Sequence, residues 1–467
     1  MKILVAIASH GTRNDGYLFR LIEEYRSMPY SVDIVVLSNI KKSVPAGVEL
    51  SVGLPTKDPW SLPFGHKRLF ADRCEAYELF IYSEDDMLVT EKNIKAFLAA
   101  SAFLPEDEIA GFFRFEEGPH GQRNYPEMHG HFHWDPQSVR SRDGRTFAFF
   151  TCEHSACYLL TRSQLRHAIQ SGGFLVGPHQ GKYDLACSAA TDPYTRCGVK
   201  KLVNVSQIED FLVHHLPNKY VGTRFGVDES EFRKQINTLL KIGKNGHRPA
   251  SLFDTETKLA DGAYSKDYYE PLRPELATII PQQARMVLSV GCGWGATEEW
   301  LADRGLRVTA VALDPVIPSD AVQKKAEVLV ADLAVVAEKL ANQRFDCILL
   351  LNVLHLVPDP AALLRSFSNL LSSNSSLVVL VPNMSQFPVL WGRICGDERL
   401  RHIGTYETSG VHVSSRQTVR KWFRHAGMKI EKTVDILPPR SQTLSRLTCV
   451  MMNPFLASEF FAVAKRS

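Results

Sequence analysis

The sequence lacks several features that would assign it to a particular class of protein. Its nine cysteines, at positions 74, 152, 157, 187, 197, 292, 347, 395 and 449, include no Cys-x-x-Cys pair. No apolar run approaches the ~18 residues that a membrane span needs. The 54 lysines and arginines nearly balance the 51 aspartates and glutamates, and the two signs are interleaved. These features exclude a membrane-spanning helix, argue against a nucleic-acid partner, and predict free thiols in a reducing compartment.

The length and the first residues indicate the number of domains and the cellular location. A chain of 467 residues, 45% of them hydrophobic, is too long for one core and fits two or three domains. Met1–Ile7 is apolar but leads directly into polar residues, so we interpret it as a first strand and not as a signal peptide. We therefore expect a cytoplasmic protein, which could lie at a membrane surface as a peripheral protein.

Three glycines at alternate positions follow a short apolar segment in the C-terminal half. The segment 286–290 has no helical period and is predicted to be a buried parallel strand. Gly291, Gly293 and Gly295 follow it, where a backbone without side chains can turn sharply and approach a ligand closely. A structural glycine-rich turn is the alternative interpretation of this loop.

The residues after the loop favour a ligand-binding role. Residues 296–304 have helical spacing, and residues 307–313 are a second strand that ends at Asp314. Asp314 lies 23 residues after Gly291 (314 − 291 = 23), close to the ~20 expected for a carboxylate that binds ribose hydroxyls in a Rossmann-type unit. Strand, turn, helix, strand and aspartate together predict a nucleoside-binding crevice.

Further strands follow at 327–330, 345–351 and 376–383. The first of these leads to Asp332, a carboxylate suited to accept a hydrogen bond from an adenine amino group. Over residues 265–467 the sequence resembles the class I S-adenosylmethionine-dependent methyltransferases, on the loop VGCGWG, Asp314, Asp332 and the stretch LHLVPDP after the fourth strand. A nicotinamide dinucleotide-binding domain is disfavoured, because the loop lacks the spacing G-x-G-x-x-G.

The resemblance implies a cofactor site for S-adenosylmethionine (SAM). The loop would pass under the methionine part, Asp314 would hold the ribose, and Asp332 would lie at the adenine. Tyr268 or Tyr269, on a tyrosine-rich helix, would lie near the methionine end, although such a pair can also simply pack on a surface. The implied cofactor residues are Gly291, Cys292, Gly293, Gly295, Asp314, Asp332, Leu333 and Asn352.

Two histidines are candidates for the base in methyl transfer. His355 follows the fourth strand, and His412 lies in a later segment that also resembles the family. Methyl transfer to a hydroxyl needs alignment of the acceptor oxygen with the methyl group and a group that takes the proton. In the alternative interpretation, His355 only packs against Pro358 and Pro360.

The N-terminal half has its own predicted strands at 2–8, 31–37 and 79–82. Polar residues follow the first of these strands, and Glu84, Asp85 and Asp86 follow the third. Adjacent carboxylates at the end of a buried strand are costly unless a cation compensates them, and hard oxygen ligands suit Mg²⁺ or Mn²⁺. The alternative is a solvated acidic loop that caps the helix beginning near Thr90.

Over residues 1–225 the sequence resembles the GT-A-fold glycosyltransferases, whose Asp-x-Asp-like motif Glu84-Asp85-Asp86 partly matches. The resemblance implies that a metal ion binds a nucleotide-diphosphate sugar, with Asp86 as the direct ligand and His214 or His215 as a further one. The other nucleotide-sugar candidates are Ser9, His10, Lys67, Arg68, Glu84 and Asp85.

The sequence defines the residues that would act on the sugar acceptor less clearly. Glu153 or Asp184 could take the acceptor proton if the reaction inverts configuration, although either could instead cap a turn or a helix. Residues 129–133 contain three histidines at alternate positions. Because Tyr125, Phe132 and Trp134 are interleaved with them, we interpret this segment as a sugar-stacking and hydrogen-bonding loop rather than a zinc site.

We therefore predict two Rossmann-like α/β domains: residues 1–240, GT-A-like, and residues 266–467, a class I methyltransferase, joined by a linker at 241–265. The predicted function is metal-dependent sugar transfer from a nucleotide-sugar donor together with SAM-dependent O-methylation of a glycan or glycolipid acceptor. The alternative is a methyltransferase whose N-terminal half is a non-catalytic carbohydrate-binding or positioning module.

Overall fold

The structure, a computed structural model, describes residues 1–397, 403–447 and 451–466. It divides the chain into two compact units, Met1–Arg248 and Pro249–Ser467. The predicted linker at 241–265 differs from this division. Residues 241–245 continue the last helix of the first unit, whereas Leu252 donates a backbone hydrogen bond to Leu313 within the second unit.

The first unit contains fourteen strands and six α-helices among the described residues. The strands are β1 (Lys2–Ala8), β2 (Ser31–Ser38), β3 (Glu49–Val52), β4 (Leu79–Glu84), β5 (Met87–Leu88), β6 (Glu108–Ala110), β7 (Phe113–Glu117), β8 (Arg123–Tyr125), β9 (Trp134–Arg142), β10 (Arg145–Phe150), β11 (Cys157–Thr161), β12 (Lys200–Asn204), β13 (Leu212–His215) and β14 (Val227–Asp228). The helices are α1 (Asp15–Ser27), α2 (Gly65–Asp72), α3 (Glu91–Ser101), α4 (Arg162–Gln170), α5 (Leu185–Thr195) and α6 (Glu229–Asn245).

The main sheet of the first unit has the order β11-β4-β1-β2-β3. Strands β3, β2, β1 and β4 are parallel, and β11 pairs with β4 in the antiparallel direction. Six of the seven residues of β1 are buried, as expected for a central parallel strand covered on both faces. The chain runs from β1 to β2 and β3 on one side and returns to β4 on the other, which leaves a crevice at the carboxyl ends of β1 and β4.

Two smaller sheets complete the first unit, with the orders β6-β12-β10-β9 and β14-β8-β7-β13-β5. Aromatic side chains fill the core near them. The rings of Tyr125 and Phe232 stack with 3.7 Å between their centroids, and Trp134 stacks on Phe113. Tyr125 and Trp134 are therefore core residues, and their predicted place in a sugar-stacking loop is wrong.

The second unit contains seven strands and ten α-helices among the described residues. The strands are β15 (Met286–Cys292), β16 (Arg307–Ala312), β17 (Glu327–Leu329), β18 (Phe345–Leu351), β19 (Leu371–Pro382), β20 (Met428–Ile436) and β21 (Glu459–Arg466). The helices are α7 (Leu276–Ile279), α8 (Ala296–Asp303), α9 (Asp320–Lys325), α10 (Leu333–Lys339), α11 (Pro360–Ser368), α12 (Phe387–Cys395), α13 (Tyr406–Ser409), α14 (Arg416–His425), α15 (Gln442–Leu447) and α16 (Asn453–Leu456).

The seven strands form one sheet in the order β17-β16-β15-β18-β19-β21-β20. The first five are parallel, and β21 is antiparallel to both β19 and β20. Apolar residues of β15, β18 and β19 are buried on both faces of the sheet. The chain reverses its direction of winding between β15 and β18, so the carboxyl ends of these two strands form the crevice where ligands bind in such sheets.

One local structure implied by the resemblance and one alternative interpretation differ from the structure. Residues 264–269 do not form a helix; they are irregular and follow a short 3₁₀ turn, Ala260–Gly262. The helix α3 is capped by Thr90, whose hydroxyl accepts a hydrogen bond from the Asn93 amide, so the acids before it do not serve as its cap.

The structure contains no helix, among the described residues, that is long and apolar enough to cross a membrane. Eight of the cysteines are described and all eight are unpaired; six are buried, Cys187 is half-buried and Cys395 is exposed. The ninth, Cys449, lies outside the described residues.

Candidate functional site

The glycine loop lies at the carboxyl end of β15, beside the end of β18. Gly291 and Gly295 have φ values of +85° and +101°, which side chains rarely tolerate. A Cβ atom on Gly293 would lie 2.2 Å from the carbonyl oxygen of Tyr268, and one on Gly291 would lie 2.7 Å from Val353. The loop therefore needs glycine at these positions for its conformation and its close packing.

Charged side chains lie beside this loop. Lys266, Glu270 and Glu298 line one cavity together with residues 289–297 and Leu351. The side chains of Lys266 and Glu270 form an ion pair of 2.5 Å and are only 2% and 11% exposed. Neither Lys266 nor Glu270 is among the site residues predicted from the sequence. The spacing of Lys266 and Glu270, four apart just before the first strand of the sheet, was the available signal.

The predicted nucleoside carboxylates occupy different environments. Asp314 follows β16 and is buried, and its carboxylate accepts hydrogen bonds from the backbone amides of Val316 and Ile317. Asp332 is exposed, and its side chain caps α10 by accepting from the amide of Ala334. The contacts that the resemblance implied for Asp314, Asp332 and the adjacent Leu333 remain predictions.

Asn352 is the first residue after β18 and has a φ of +52°, uncommon for a residue other than glycine. Its amide nitrogen donates to Glu270 at 2.8 Å and to Glu459 at 3.2 Å. Its side-chain oxygen is buried and has no hydrogen-bond partner among the described residues. An unpaired buried acceptor in a strained backbone is typical of a ligand-binding position.

The two candidate bases are held by backbone carbonyls. The Nε2 atom of His355 is 3.0 Å from the carbonyl oxygen of Tyr264, and burial lowers the pKa of His355 to about 4. Its Nδ1 atom has no partner among the described residues. His412 stacks on Tyr406, and its Nε2 atom is 3.1 Å from the carbonyl oxygen of Val357. The catalytic role of either imidazole remains a prediction.

Comparison with known proteins assigns the second unit to a family. The methyltransferase-domain family matches residues 263–433. The ubiquinone biosynthesis O-methyltransferase of Xanthomonas axonopodis pv. citri is 30% identical over 189 residues, which cover 38% of this chain and 77% of that protein. This chain belongs to the methyltransferase family.

A second relative, the ubiquinone biosynthesis O-methyltransferase of Xylella fastidiosa, is 31% identical over 160 residues, which cover 32% of this chain and 64% of that protein. The alignment thus spans slightly less than two thirds of its length. The match to a solved structure of a SAM-dependent methyltransferase from Archaeoglobus fulgidus covers 41% of this chain and 90% of that chain at 16% identity, with a TM-score of 0.31.

The methyltransferase crevice fits SAM. Loop glycines that tolerate no side chain, a buried carboxylate after β16 and the unpaired acceptor of Asn352 surround one edge of the sheet. Gly291, Gly293, Gly295, Asp314 and Asn352 would hold the cofactor. When bound, SAM supplies an electrophilic methyl group on a sulfonium centre.

The first unit has a cavity of about 470 Å³ at the carboxyl ends of β1 and β4. Glu84, Asp85 and Asp86 line this cavity together with Trp60, which is 66% exposed. The remaining lining residues are Ala8, His10, Asn14, Pro59, Leu62, Pro63 and Ala186. We call this space the N-terminal cavity.

Side chains of the loop after β1 donate hydrogen bonds to the acids that line the N-terminal cavity. The hydroxyl of Ser9 donates to Asp85 at 2.6 Å, and Asn14 donates to Asp85 at 2.8 Å. Burial, followed by repulsion from Asp86, raises the pKa of Glu84 to about 7, and burial raises the pKa of Asp85 to about 6. The Oδ1 atom of Asp86 is buried with no hydrogen-bond partner among the described residues.

The predicted metal site is not supported. The described residues contain no group of three or more histidine, cysteine, aspartate or glutamate side chains placed to hold a metal ion. His215 lies 3.4 Å from Asp86 through Nε2 and 2.6 Å from Glu116 through Nδ1, so both ring nitrogens are engaged. His214 faces elsewhere, stacked on Phe115.

Two of the predicted nucleotide-sugar residues lie outside the N-terminal cavity. Lys67 is buried in an ion pair with Asp192, and Arg68 is exposed in a pair with Asp72 on the same helix. Both side chains are engaged in these ion pairs and neither lines the cavity, so their role in binding a nucleotide sugar remains a prediction that the cavity does not support. His10 lines the cavity and Ser9 donates to Asp85, which also lines it, so contacts of these two residues with a nucleotide sugar remain predictions.

The two residues predicted to take the proton of the sugar acceptor, Asp184 and Glu153, form contacts within the first unit. Asp184 caps α5 by accepting from the amide of Cys187, which is the alternative role that the sequence left open. Glu153 is buried, pairs with Lys182 at 2.9 Å and accepts from the Tyr183 hydroxyl at 2.6 Å. The geometry thus places Asp184 in a structural role, and a role of Glu153 in catalysis remains a prediction.

Proposed function

We propose that the protein transfers the methyl group of SAM to an oxygen atom of an acceptor. The observation that carries this proposal is the glycine loop at the crevice between β15 and β18, where Gly293 packs against the backbone of residue 268. Oxygen as the methylated atom is supported by the relatives from Xylella and Xanthomonas, which are named as O-methyltransferases. A glycan or glycolipid hydroxyl is our sequence-based expectation for the acceptor.

Binding of S-adenosylhomocysteine and transfer of a labelled methyl group test this proposal. Gly293→Ala would place a Cβ atom against the Tyr268 carbonyl, so we expect at least a tenfold loss of affinity in calorimetry. Gly16→Ala is the matched control, because a Cβ atom there meets nothing within 4 Å. Transfer to a panel of phenols and sugars, with analysis of the methylated atom, identifies the acceptor class. Wild-type protein that binds neither SAM nor its product would refute the proposal.

For the first unit, we propose a role in binding or positioning the acceptor. The N-terminal cavity supports this, since it combines hydrogen-bonding carboxylates with the exposed ring of Trp60, a combination suited to a sugar or another polar ring. Trp60 also provides a direct signal, because a ligand that stacks on it changes its fluorescence. Trp60→Leu would then weaken acceptor binding and leave binding of S-adenosylhomocysteine unchanged.

Sugar transfer from a nucleotide-sugar donor is the second candidate for this unit. The unpaired Oδ1 atom of Asp86 favours it, since a buried carboxylate oxygen without a partner is costly unless a ligand compensates it. Thermal stabilisation by nucleoside diphosphates, with and without Mn²⁺, separates the two candidates. Stabilisation that needs Mn²⁺ and is lost in Asp86→Asn, but kept in Asp72→Asn on the exposed face of α2, supports sugar transfer.

A place at a membrane surface also remains a prediction. It is supported by α12, on which Phe387, Leu390, Trp391 and Ile394 form one helical face and are between 39% and 79% exposed. An exposed apolar face of this kind is typical of helices that lie in the membrane interface. Flotation with phospholipid vesicles, lost when Trp391 and Ile394 are both changed to Ser, checks the prediction.

A further inference from the structure

An ion-pair cluster lies between the glycine loop and the end of β18. The ammonium group of Lys266 donates to Glu270 at 2.5 Å and to the carbonyl oxygen of Leu351, the last residue of β18, at 2.8 Å. Arg273 lies 3.2 Å from Glu270 and forms two hydrogen bonds with Glu459. The cluster therefore joins the segment before β15 to the ends of β18 and β21.

Two members of this cluster line the same cavity as the glycine loop. Lys266 and Glu270 lie there with Gly291, Gly293 and Glu298. Arg273 and Glu459, in contrast, are not among the residues that line it. Of the two ion pairs, one therefore contacts the cofactor crevice and the other supports it from behind.

The charge of the cluster is balanced. Lys266 and Arg273 oppose Glu270 and Glu459, and the nearby cations hold the pKa of the Glu270 carboxyl below its usual range despite its burial. Burying such a pair costs desolvation free energy that its own attraction seldom repays in full. A zwitterion that enters between the two partners replaces one ion pair with two and leaves the net charge unchanged.

Asn352 provides a hydrogen-bond acceptor next to this ion-pair cluster. Its amide nitrogen donates to Glu270, so its unpaired side-chain oxygen lies next to the same carboxylate. A ligand ammonium group has three donors and can bind Glu270 and Asn352 together. The cluster thus presents one cation and two neighbouring acceptors, which matches the carboxylate and ammonium groups of an α-amino acid.

We propose that Lys266 and Glu270 bind the amino-acid end of SAM, Lys266 at its carboxylate and Glu270, with Asn352, at its ammonium group. This inference rests on the proposed function and extends it to residues that neither the motif nor the family match assigns. It makes the Lys266–Glu270 pair the element that distinguishes SAM from nucleosides without an amino acid.

Titration calorimetry with three ligands tests the proposal. S-Adenosylhomocysteine carries the complete amino-acid end, S-adenosyl-3-thiopropylamine lacks the carboxylate, and 5′-methylthioadenosine lacks both charged groups. In Lys266→Met we expect at least tenfold weaker binding of S-adenosylhomocysteine and less than twofold weakening for the other two. In Glu270→Gln we expect at least tenfold weaker binding of the two amine-bearing ligands and an unchanged affinity for 5′-methylthioadenosine.

Lys325→Met is the matched control, since Lys325 pairs with Glu299 on the surface of the same unit, and its affinities should equal those of the wild type. If Lys266→Met does not fold, the double variant Lys266→Met/Glu270→Leu removes both charges together and leaves neither one buried alone. The double variant should bind 5′-methylthioadenosine normally and S-adenosylhomocysteine at least tenfold more weakly.

Three results would overturn the inference: equal weakening of all three ligands in Lys266→Met, no weakening of any, or a wild type that binds 5′-methylthioadenosine as tightly as S-adenosylhomocysteine. In each of these cases the wild type still binds the nucleoside, so the proposed SAM-dependent methyl transfer is not refuted. A wild type that binds none of the three refutes the proposed function as well.

Discussion

The hydroxyl of Ser289 donates a hydrogen bond to the carboxylate of Glu298, with 2.5 Å between the two oxygen atoms. Both side chains are buried, Ser289 in the middle of β15 and Glu298 in the first turn of α8. The bond therefore ties the strand before the glycine loop to the helix after it. It fixes the loop from both ends.

This bond leads to a prediction about stability. In Ser289→Ala the Glu298 carboxylate loses a buried donor, so the free energy of unfolding of the second unit should fall by about 1–3 kcal/mol. Urea unfolding measures the change. Ser373→Ala, at an exposed position of β19, is the control and should change the free energy by less than about 0.5 kcal/mol. Equal stability of the two variants would contradict the role we assign to the bond.

The stacked pair of Tyr125 and Phe232 carries a second prediction. Phe232 is fully buried on α6, and its ring packs face to face on Tyr125. Phe232→Ala should lower the free energy of unfolding of the first unit by about 3–5 kcal/mol, because it removes a large buried ring and leaves a cavity. Trp60→Ala, which removes a more exposed aromatic ring of the same unit, should have a much smaller effect in the same denaturation experiment.

The raised pKa values in the N-terminal cavity predict how stability depends on pH. The pKa of Glu84 rises from its ordinary value of 4.5 to about 7. Between these values the folded state holds a proton that the unfolded state has lost, so this group makes stability fall as the pH rises. Above pH 7 the folded state carries an unfavourable, half-buried charge on Glu84 next to Asp86.

Glu84→Gln removes this charge. It should stabilise the protein by about 1–3 kcal/mol at pH 8 and by little at pH 4.5, as measured by denaturation at both values. Glu91→Gln, at a partly exposed ion pair with Lys95, is the control and should give no gain at either pH. A gain for Glu84→Gln that is the same at both values would show that the charge of Glu84 is not its cause.

His355 gives a prediction about catalysis. If its free Nδ1 atom takes the acceptor proton, His355→Ala should lower the rate of methyl transfer by about 10²–10⁴-fold and change the affinity for S-adenosylhomocysteine little. Because burial lowers the pKa of His355 to about 4, this imidazole is neutral at pH 5 and above. The rate should therefore show no titration of His355 between pH 5.5 and 8.

The exposed His425 at the end of α14 is a suitable control, and His425→Ala should keep the full rate. His412→Ala tests the second candidate in the same assay. A His355→Ala enzyme with a normal rate would assign the imidazole to packing, the alternative that its neighbours Pro358 and Pro360 suggest.

Sequence reasoning predicted the strands with continuous apolar runs well. The bounds of β1 and β18, Lys2–Ala8 and Phe345–Leu351, are those predicted, because a parallel strand buried on both faces needs an apolar side chain at nearly every position. The loop glycines were also found, since a close approach of two backbone segments requires glycine in the sequence itself.

Other features depend on partners that are distant in sequence. Residues 371–375 lie before the predicted strand 376–383, yet they belong to β19, where the Ser372 hydroxyl donates to Asp346. Lys67 was a candidate for binding the nucleotide sugar, but it forms an ion pair with Asp192, 125 residues later. Local composition describes the polarity of such residues and not the identity of the group that they face. Lys266 and Glu270 were not predicted as site residues for the same reason.

The position of β21 between β19 and β20 has a consequence for how the second unit folds. Strand β20 precedes β21 in the chain but reaches the sheet only through it, so the two strands must form a hairpin that docks on β19. Until it docks, Leu377–Val381 present an open apolar edge of the kind that recruits other chains into aggregates. Docking of the β20–β21 hairpin therefore covers this apolar edge when the second unit folds.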